Sequence, residues 1–300
     1  MMNSLVIAAA LLLAQKDAPG TDISRPLTVD ELKRSYHFHL PKNYDVAKPT
    51  PAIVVLHGAG TNAKIMELFC GMSAQADQSG FIAVYPNGTG SGEIFLTWNA
   101  GAFPGPLANK RPNDVNYLNA VLDDLAKVAN VDRKRTYVCG MSNGGMMAYR
   151  AAAEMSHRFA AMANVAGTLV LDKWEPKHPM PVLHIHGTED GLVPFKGSDK
   201  KAPAFLQFPS VEDNVKTCCT FNGCDATPKV TEVAKDKDKY LVTKKVYGKG
   251  KNGTEVVLYV IEGGGHTWPG RAAPTVLGPS TNNIRANEAI WEFFRRYARE

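Results

Sequence analysis

Three residues of this chain have the types and the order to make a covalent hydrolytic catalyst: Ser142, Asp190 and His266. A serine hydroxyl becomes a useful nucleophile only when a neutral imidazole takes its proton and a carboxylate orients that imidazole. Ser142 lies in Gly140-Met-Ser-Asn-Gly144, a G-x-S-x-G pattern in which the missing Cβ atoms let a strand and a helix meet around a sharp turn. Asp190 follows in the glycine-bounded turn Gly187-Thr-Glu-Asp-Gly191, and His266 in Gly263-Gly-Gly-His-Thr-Trp-Pro-Gly270. Alone, the G-x-S-x-G pattern is common; the acid and histidine arriving after it, each in a loop, give it meaning. The oxyanion of such a reaction needs two backbone N–H groups, expected here from Asn143 and from Ala59 in His57-Gly-Ala-Gly60, with Gly58 as the neighbouring alternative.

Other residues compete for these roles. Glu189 is an alternative acid, and Asp172 and Asp199 lie in nearby loops. His57, directly before Gly58, reads as a brace for its loop. His37 and His39 alternate onto one strand face, as do His184 and His186, and without a third ligand at a recognisable spacing both pairs read as strand packing. No metal and no cofactor is expected. Trp98 and Trp268 fall in loops expected to border the site and are the candidates for contacting an acyl group.

The elements that must position these residues can be read from hydrophobic spacing. Residues 135–139 form a strand that runs into Ser142, and a helix follows it. Strand-like runs also cover 34–40, 52–57, 81–85, 160–165 and 181–186, with two more at 239–247 and 254–261 near a sheet edge. Helical spacing predicts one helix over 64–78, with Ile65, Leu68, Phe69 and Met72 on its inner face. It predicts a second from the N-cap Asp114 to about Ala129, and a last one presenting Ile290, Phe293, Phe294 and Tyr297. The long loop 86–112, rich in Gly, Pro and Asn and carrying Phe95, Trp98 and Phe103, reads as a cover or binding loop. Strands alternating with helices call for a mostly parallel sheet with helices on both faces, the α/β-hydrolase fold, with Asp190 and His266 at the C-terminal strand edge where such sheets place their sites.

The 300 residues are 44% hydrophobic. Residues 1–14 form an apolar run too short for a stable span, read as a signal peptide ending at Ala14, with a retained anchor as the alternative. Residues 20–300 then make one catalytic domain in a secreted or periplasmic protein. The net charge of +5 comes partly from lysines crowded between Lys229 and Lys251. Without interleaved aromatics they read as solvated strand faces, and no nucleic acid is expected as a partner. Of five cysteines, Cys139 reads as a buried thiol, while Cys218, Cys219 and Cys224 are close enough for one loop-closing bridge.

Taken together, Leu56-His-Gly-Ala-Gly60, Gly140-Met-Ser-Asn-Gly-Gly145, His186-Gly-Thr-Glu-Asp190 and the Gly263–Gly270 segment are recognisable as a set. The chain resembles the polyhydroxybutyrate depolymerase and feruloyl esterase family of secreted α/β-hydrolases, similar to carbohydrate esterase family 1, over Arg34 to Tyr297. The resemblance implies nucleophile, acid and base at Ser142, Asp190 and His266, and a substrate that is a polyester, an aromatic-acid ester or an acetyl ester. It also implies a bridge from Cys224 to the following hairpin, which holds no cysteine, so a bridge there falls to Cys218 or Cys219. A serine peptidase of related fold and a non-catalytic polymer-binding protein are the alternative functions.

Overall fold

An uninterrupted apolar run such as Ala52–Leu56 is stable only where both faces of a strand are covered. The computed structural model describes residues 18–101, 112–199, 201–202, 207–233 and 236–300, and it buries that run completely. The expected signal peptide, residues 1–14, and Phe103 lie outside the described residues.

The strands in chain order are β1 (Asp22–Val29), β2 (Leu32–His39), β3 (Thr50–Leu56), β4 (Ile82–Pro86), β5 (Thr89–Ser91) and β6 (Phe95–Thr97). They continue with β7 (Val131–Met141), β8 (Met162–Val165), β9 (Val182–Gly187), β10 (Lys229–Val233), β11 (Val242–Tyr247) and β12 (Val256–Ile261). Ten of them form one sheet in the order β1-β2-β4-β3-β7-β8-β9-β12-β11-β10, and β5 pairs with β6 separately. The centre from β4 to β12 is parallel. Antiparallel hairpins close both edges.

The edge strands β1 and β10 are absent from the sequence expectation for a physical reason. Pro26 interrupts β1, which only an edge strand tolerates, and β10 leaves four of its five residues exposed. The register Lys229↔Val246 puts Lys229, Lys244 and Lys245 on the β10–β11 hairpin, away from the core.

Helices cover both faces. On one lie α1 (Ala63–Cys70), α2 (Met72–Ser79) and α6 (Ala286–Phe294); on the other α3 (Asp114–Val128), α4 (Asn143–Glu154) and α5 (Val211–Asn222). The single helix expected over 64–78 is two helices, because Gly71 turns left-handed at φ 64° and its N–H caps back to Glu67 O at 2.9 Å. The inner face also differs: Ile65 and Leu68 are exposed, and Ala63, Met66, Glu67 and Cys70 are buried. Glu67 goes inside because His37, Lys64 and Ser73 satisfy its carboxylate, at 3.1, 2.6 and 2.9 Å. Helix α3 starts at Asp114 as expected, but its cap is Asn113, whose side chain accepts from Asn116 N. Asp114 turns inward instead, taking Arg34 Nη1 at 2.6 Å and Asn99 N at 2.7 Å. That buried pair anchors the loop leading out of β6 to the sheet. In α6, Ile290, Phe293 and Phe294 are buried as their spacing requires, and Tyr297 follows beyond the helix end.

Candidate active site

The turn between β7 and α4 holds Ser142 at φ 56° and ψ −125°. A side chain there costs of order 1–3 kcal/mol, strain that persists only when the surroundings enforce it. They do so through Ser142 N, which donates to Val165 O of β8 at 3.0 Å, and Ser142 O, which accepts from Met146 N at 3.0 Å. The approach of α4 to the sheet is as close as glycine allows: a Cβ at Gly140 would sit 2.3 Å from Gly144 O, and one at Gly144 2.2 Å from Leu56 O. The hydroxyl is half-buried, and among the described residues Ser142 Oγ has no hydrogen-bond partner.

The acid and histidine loops leave adjacent parallel strands, β9 and β12, and are zipped together. Thr188 N donates to Ile261 O, Glu189 N to Gly264 O, and Gly263 N to Thr188 Oγ1, all at 2.8–2.9 Å. This brings His266 Nδ1 to 2.8 Å from Asp190 Oδ2. Asp190 Oδ1 accepts from Leu192 N at 2.9 Å and Val193 N at 2.8 Å, and His186 Nε2 lies 3.3 Å from Oδ2. Burial of Asp190 opposes its charge, yet these donors outweigh burial and hold its carboxyl well below the usual carboxylate range. Asp190 is therefore a fixed anion. Because Oδ2 can only accept, His266 Nδ1 is the donor in that contact.

The loop after β3 is the third part. A Cβ at Gly58 would lie 4.0 Å from Ser142 Oγ, so the 57–60 segment borders the hydroxyl. Fully buried His57 braces it: one ring nitrogen bonds Gly58 O at 2.8 Å, and the other accepts from Gly88 N at 2.9 Å. Burial pushes the imidazole down to about 4, so it stays neutral and keeps that acceptor. Asn143 opens α4, and its N–H has no intrahelical acceptor. Its buried side chain takes Thr97 Oγ1 at 2.9 Å and Trp98 N at 2.7 Å while donating to Trp98 O at 3.2 Å. Asn143 follows Ser142 directly, and Ala59 is exposed in the loop that borders the hydroxyl.

The pattern of the phospholipase/carboxylesterase family matches residues 44–220, more than half of the chain. The chain belongs to this family. It is 32% identical over 291 residues to NocK of Nocardia uniformis subsp. tsuyamanensis, a protein assigned as an esterase, the match covering 92% of this chain and 83% of NocK. Feruloyl esterase C of Emericella nidulans is 27% identical over 287 residues, covering 93% and 91%. The solved acetyl xylan esterase from Aspergillus awamori superposes with a TM-score of 0.60 at 16% identity, covering 91% of this chain and 99% of that one, which shows the shared α/β-hydrolase fold. Some fungal relatives are longer, and the chain spans 28% and 41% of two of them. The protein is an enzyme that hydrolyses carboxylic esters, and its resemblance to feruloyl esterases holds.

Two expectations about this esterase need correction. Trp98 and Trp268 are fully buried, so neither ring is available to an acyl group. Trp98 Nε1 donates to His57 O at 2.9 Å, and Trp268 Nε1 to Asn287 Oδ1 at 2.8 Å. Both build loops. Among the described residues, exposed apolar groups in or beside these loops include Ile94 at 55%, Phe95 at 64%, Leu192 at 57% and Val276 at 86%. Phe95 precedes Leu96, which exchanges hydrogen bonds with Gly60 and Thr61, and Leu192 lies two residues from Asp190.

Sequence reasoning placed His57 correctly but used only the backbone of Asn143. His37 and His39 meet carboxylates, His39 reaching Asp22 at 2.7 Å and Asp77 at 3.0 Å. His184 and His186 do more than pack, since their face leads to Asp190. Their i, i+2 spacing with a candidate acid four residues beyond was the available signal. All five cysteines are free thiols, with Cys219 and Cys224 hydrogen-bonded to each other across the left-handed Gly223.

Proposed function

We propose that this esterase works through a Ser142–His266–Asp190 triad on feruloyl or acetyl esters of the kind attached to polysaccharides. The observation that supports it most is the 2.8 Å contact between His266 Nδ1 and a carboxylate held ionised. It fixes the tautomer a general base needs. In this reading the Ser142–His266 hydrogen bond forms when substrate fills the site, as such bonds often tighten only then.

Ser142 Oγ attacks the ester carbonyl and passes its proton to His266 Nε2. The carbonyl oxygen becomes an oxyanion held by the amides of Asn143 and Ala59. His266 returns the proton to the departing alcohol, leaving an acyl group on Ser142, then deprotonates water to release the acid. Asp190 stays ionised throughout and orients the imidazolium. Phe95 and Leu192 supply apolar surface for the acyl group.

Substrate class is tested by an ester panel on the purified enzyme: methyl ferulate, acetylated xylo-oligosaccharides, hydroxybutyrate oligomers and a matched peptide amide. Hydrolysis of feruloyl or acetyl esters with the amide untouched is expected. Cleavage of the amide at a comparable rate would favour the peptidase alternative, and preference for hydroxybutyrate oligomers would move the assignment to polyester.

We also propose export, supported by the apolar run at residues 1–14. Among the described residues no helix is long and apolar enough to cross a membrane. N-terminal sequencing of protein recovered outside the cytoplasm is expected to begin at Gln15; a chain still beginning at Met1 would contradict cleavage.

A further inference from the structure

The last turn of α5 carries two cysteines that the ester chemistry does not use, Cys218 and Cys219, and a third, Cys224, follows just past the helix end. We infer that Cys219 and Cys224 are a dithiol arranged to close into a disulfide, with Cys218 left as a free thiol. This does not rest on the triad reading.

The backbone makes the pair. Gly223 turns left-handed at φ 70° at the end of α5, so its N–H reaches Thr220 O at 3.3 Å while Cys224 N reaches Cys219 O at 2.9 Å. This double closure brings the side chain one residue beyond the glycine back over the last turn of the helix. Cysteine 224 therefore meets cysteine 219, and the two thiols are hydrogen-bonded with Cys219 as the donor. The turn between β11 and β12 fixes the second sulfur from the other side. Cys224 Sγ lies 3.9 Å from Thr254 O, and a Cβ at Gly250 would stand 2.8 Å from it.

The other thiols are placed differently. Cys218 is one residue earlier, about 100° round the helix, wholly buried beside Tyr149 and joined to Cys224 by no hydrogen bond among the described residues. Cys70 and Cys139 are buried on the opposite face of the sheet, where burial pushes Cys70 up to about 12. Among the described residues no imidazole, carboxylate or further thiol completes a metal site with the pair.

Reactivity divides between the two sulfurs. Accepting from Cys219, and from Val256 N, holds Cys224 below the usual thiol range, whereas donating to Cys224, together with burial, holds Cys219 above it. Half-buried Cys224 is thus the thiolate that meets an oxidant, and Cys219, only 7% exposed, is the thiol that resolves. The oxidant is a small disulfide such as oxidised glutathione. The Cys224 thiolate attacks one of its sulfurs and expels one thiolate, leaving a mixed disulfide on Cys224. Cys219 then gives up its proton and attacks Cys224 Sγ, expelling the other. One S–S bond breaks and one forms at each step; the two cysteines lose two electrons and two protons, and the oxidant departs as two thiols. Export, as proposed above, would keep the bridge closed.

The test uses the reduced full-length protein, incubated with oxidised glutathione, denatured, blocked with N-ethylmaleimide and digested. All three cysteines fall on the tryptic peptide 217–229. Before reduction this peptide is expected to carry one maleimide, no glutathione, and two hydrogens fewer than its thiol form. After reduction and treatment with iodoacetamide, fragmentation should find maleimide on Cys218 and the acetamide group on Cys219 and Cys224. Maleimide on Cys219 or Cys224, acetamide on Cys218, or retained glutathione overturns the inference.

A second readout needs no mapping. Closing the ring from Cys219 to Cys224 restricts the unfolded chain, so the oxidised protein should melt roughly 4 °C above the reduced one. An oxidised protein that melts no higher overturns the claim that the fold already holds these two sulfurs in place.

Discussion

Replacing Ser142 by alanine is expected to lower kcat on an activated ester by on the order of 10⁶-fold, the scale seen when a triad serine is removed from another hydrolase. Folding should survive the change. Among the described residues Ser142 Oγ makes no hydrogen bond, it caps no helix and it is only half-buried, so its loss leaves no buried group there unpaired. Alanine meets the same φ of 56° as serine and inherits the same strain. KM should change little, because the hydroxyl acts in bond formation more than in holding the ester. A second variant isolates the strain. Ser142→Gly should be equally inactive yet more stable than wild type by roughly 1–3 kcal/mol, since glycine accepts a positive φ without penalty. Thermal unfolding followed beside an ester assay reads both effects. Retention of more than about a tenth of wild-type kcat in folded Ser142→Ala would remove Ser142 from the chemistry, since such residual rates lie far above the on the order of 10⁶-fold loss expected.

Asp190→Asn should have the second-largest effect, about 10⁴-fold in kcat, by the tautomer argument that applies to triad acids generally. The orientation of the new amide is dictated by its neighbours. Leu192 N and Val193 N both point at Oδ1, so the asparagine oxygen must remain there. Its Nδ2 then takes the place of Oδ2 and faces His266 Nδ1. Two N–H groups cannot share that contact, so His266 must turn its Nδ1 into an acceptor and carry its proton on Nε2, facing the serine. That tautomer cannot take the Ser142 proton. The same Nδ2 also confronts His186 Nε2–H, adding a second donor clash and a loss of stability. Partial recovery at high pH, where hydroxide can substitute for the base, is expected, and a kcat within about tenfold of wild type at neutral pH would contradict the role given to Asp190.

How much of this was legible beforehand follows from what each residue depends on. The central strands were readable because runs such as Ala52–Leu56 have no arrangement other than burial on both faces. The order Ser142, Asp190, His266 was readable because each sits in a short glycine-marked loop next to a strand end. What failed were features that depend on partners remote in sequence. Glu67 occupies an inner position of α1 because His37, Lys64 and Ser73 meet it there, so Ile65 and Leu68 of the expected face turn to solvent, while Met72 is buried and Phe69 packs against the core as the spacing required. Trp98 and Trp268 looked like site residues because they lie in loops, but a loop tied down by Asn143 or Asn287 buries its aromatic. The hydrogen-bonded side chains behind Asp190, from His186 through His184 to Asn164 and Tyr149, require β8, β9 and α4 to come together, and no local pattern joins Asn164 to His184 or Tyr149. Strand β1 escaped notice because Pro26 reads as a strand breaker until the strand is known to be at an edge.

The central claim is that ester cleavage passes through an acyl group on Ser142. It is tested most directly by mixing the enzyme with an activated ester, quenching within the first turnover and mapping the acyl adduct by peptide mass spectrometry. The account predicts a burst of alcohol release and an acyl group on the peptide containing Ser142, absent in Ser142→Ala. Turnover without a burst, or an adduct on any other residue, would contradict it.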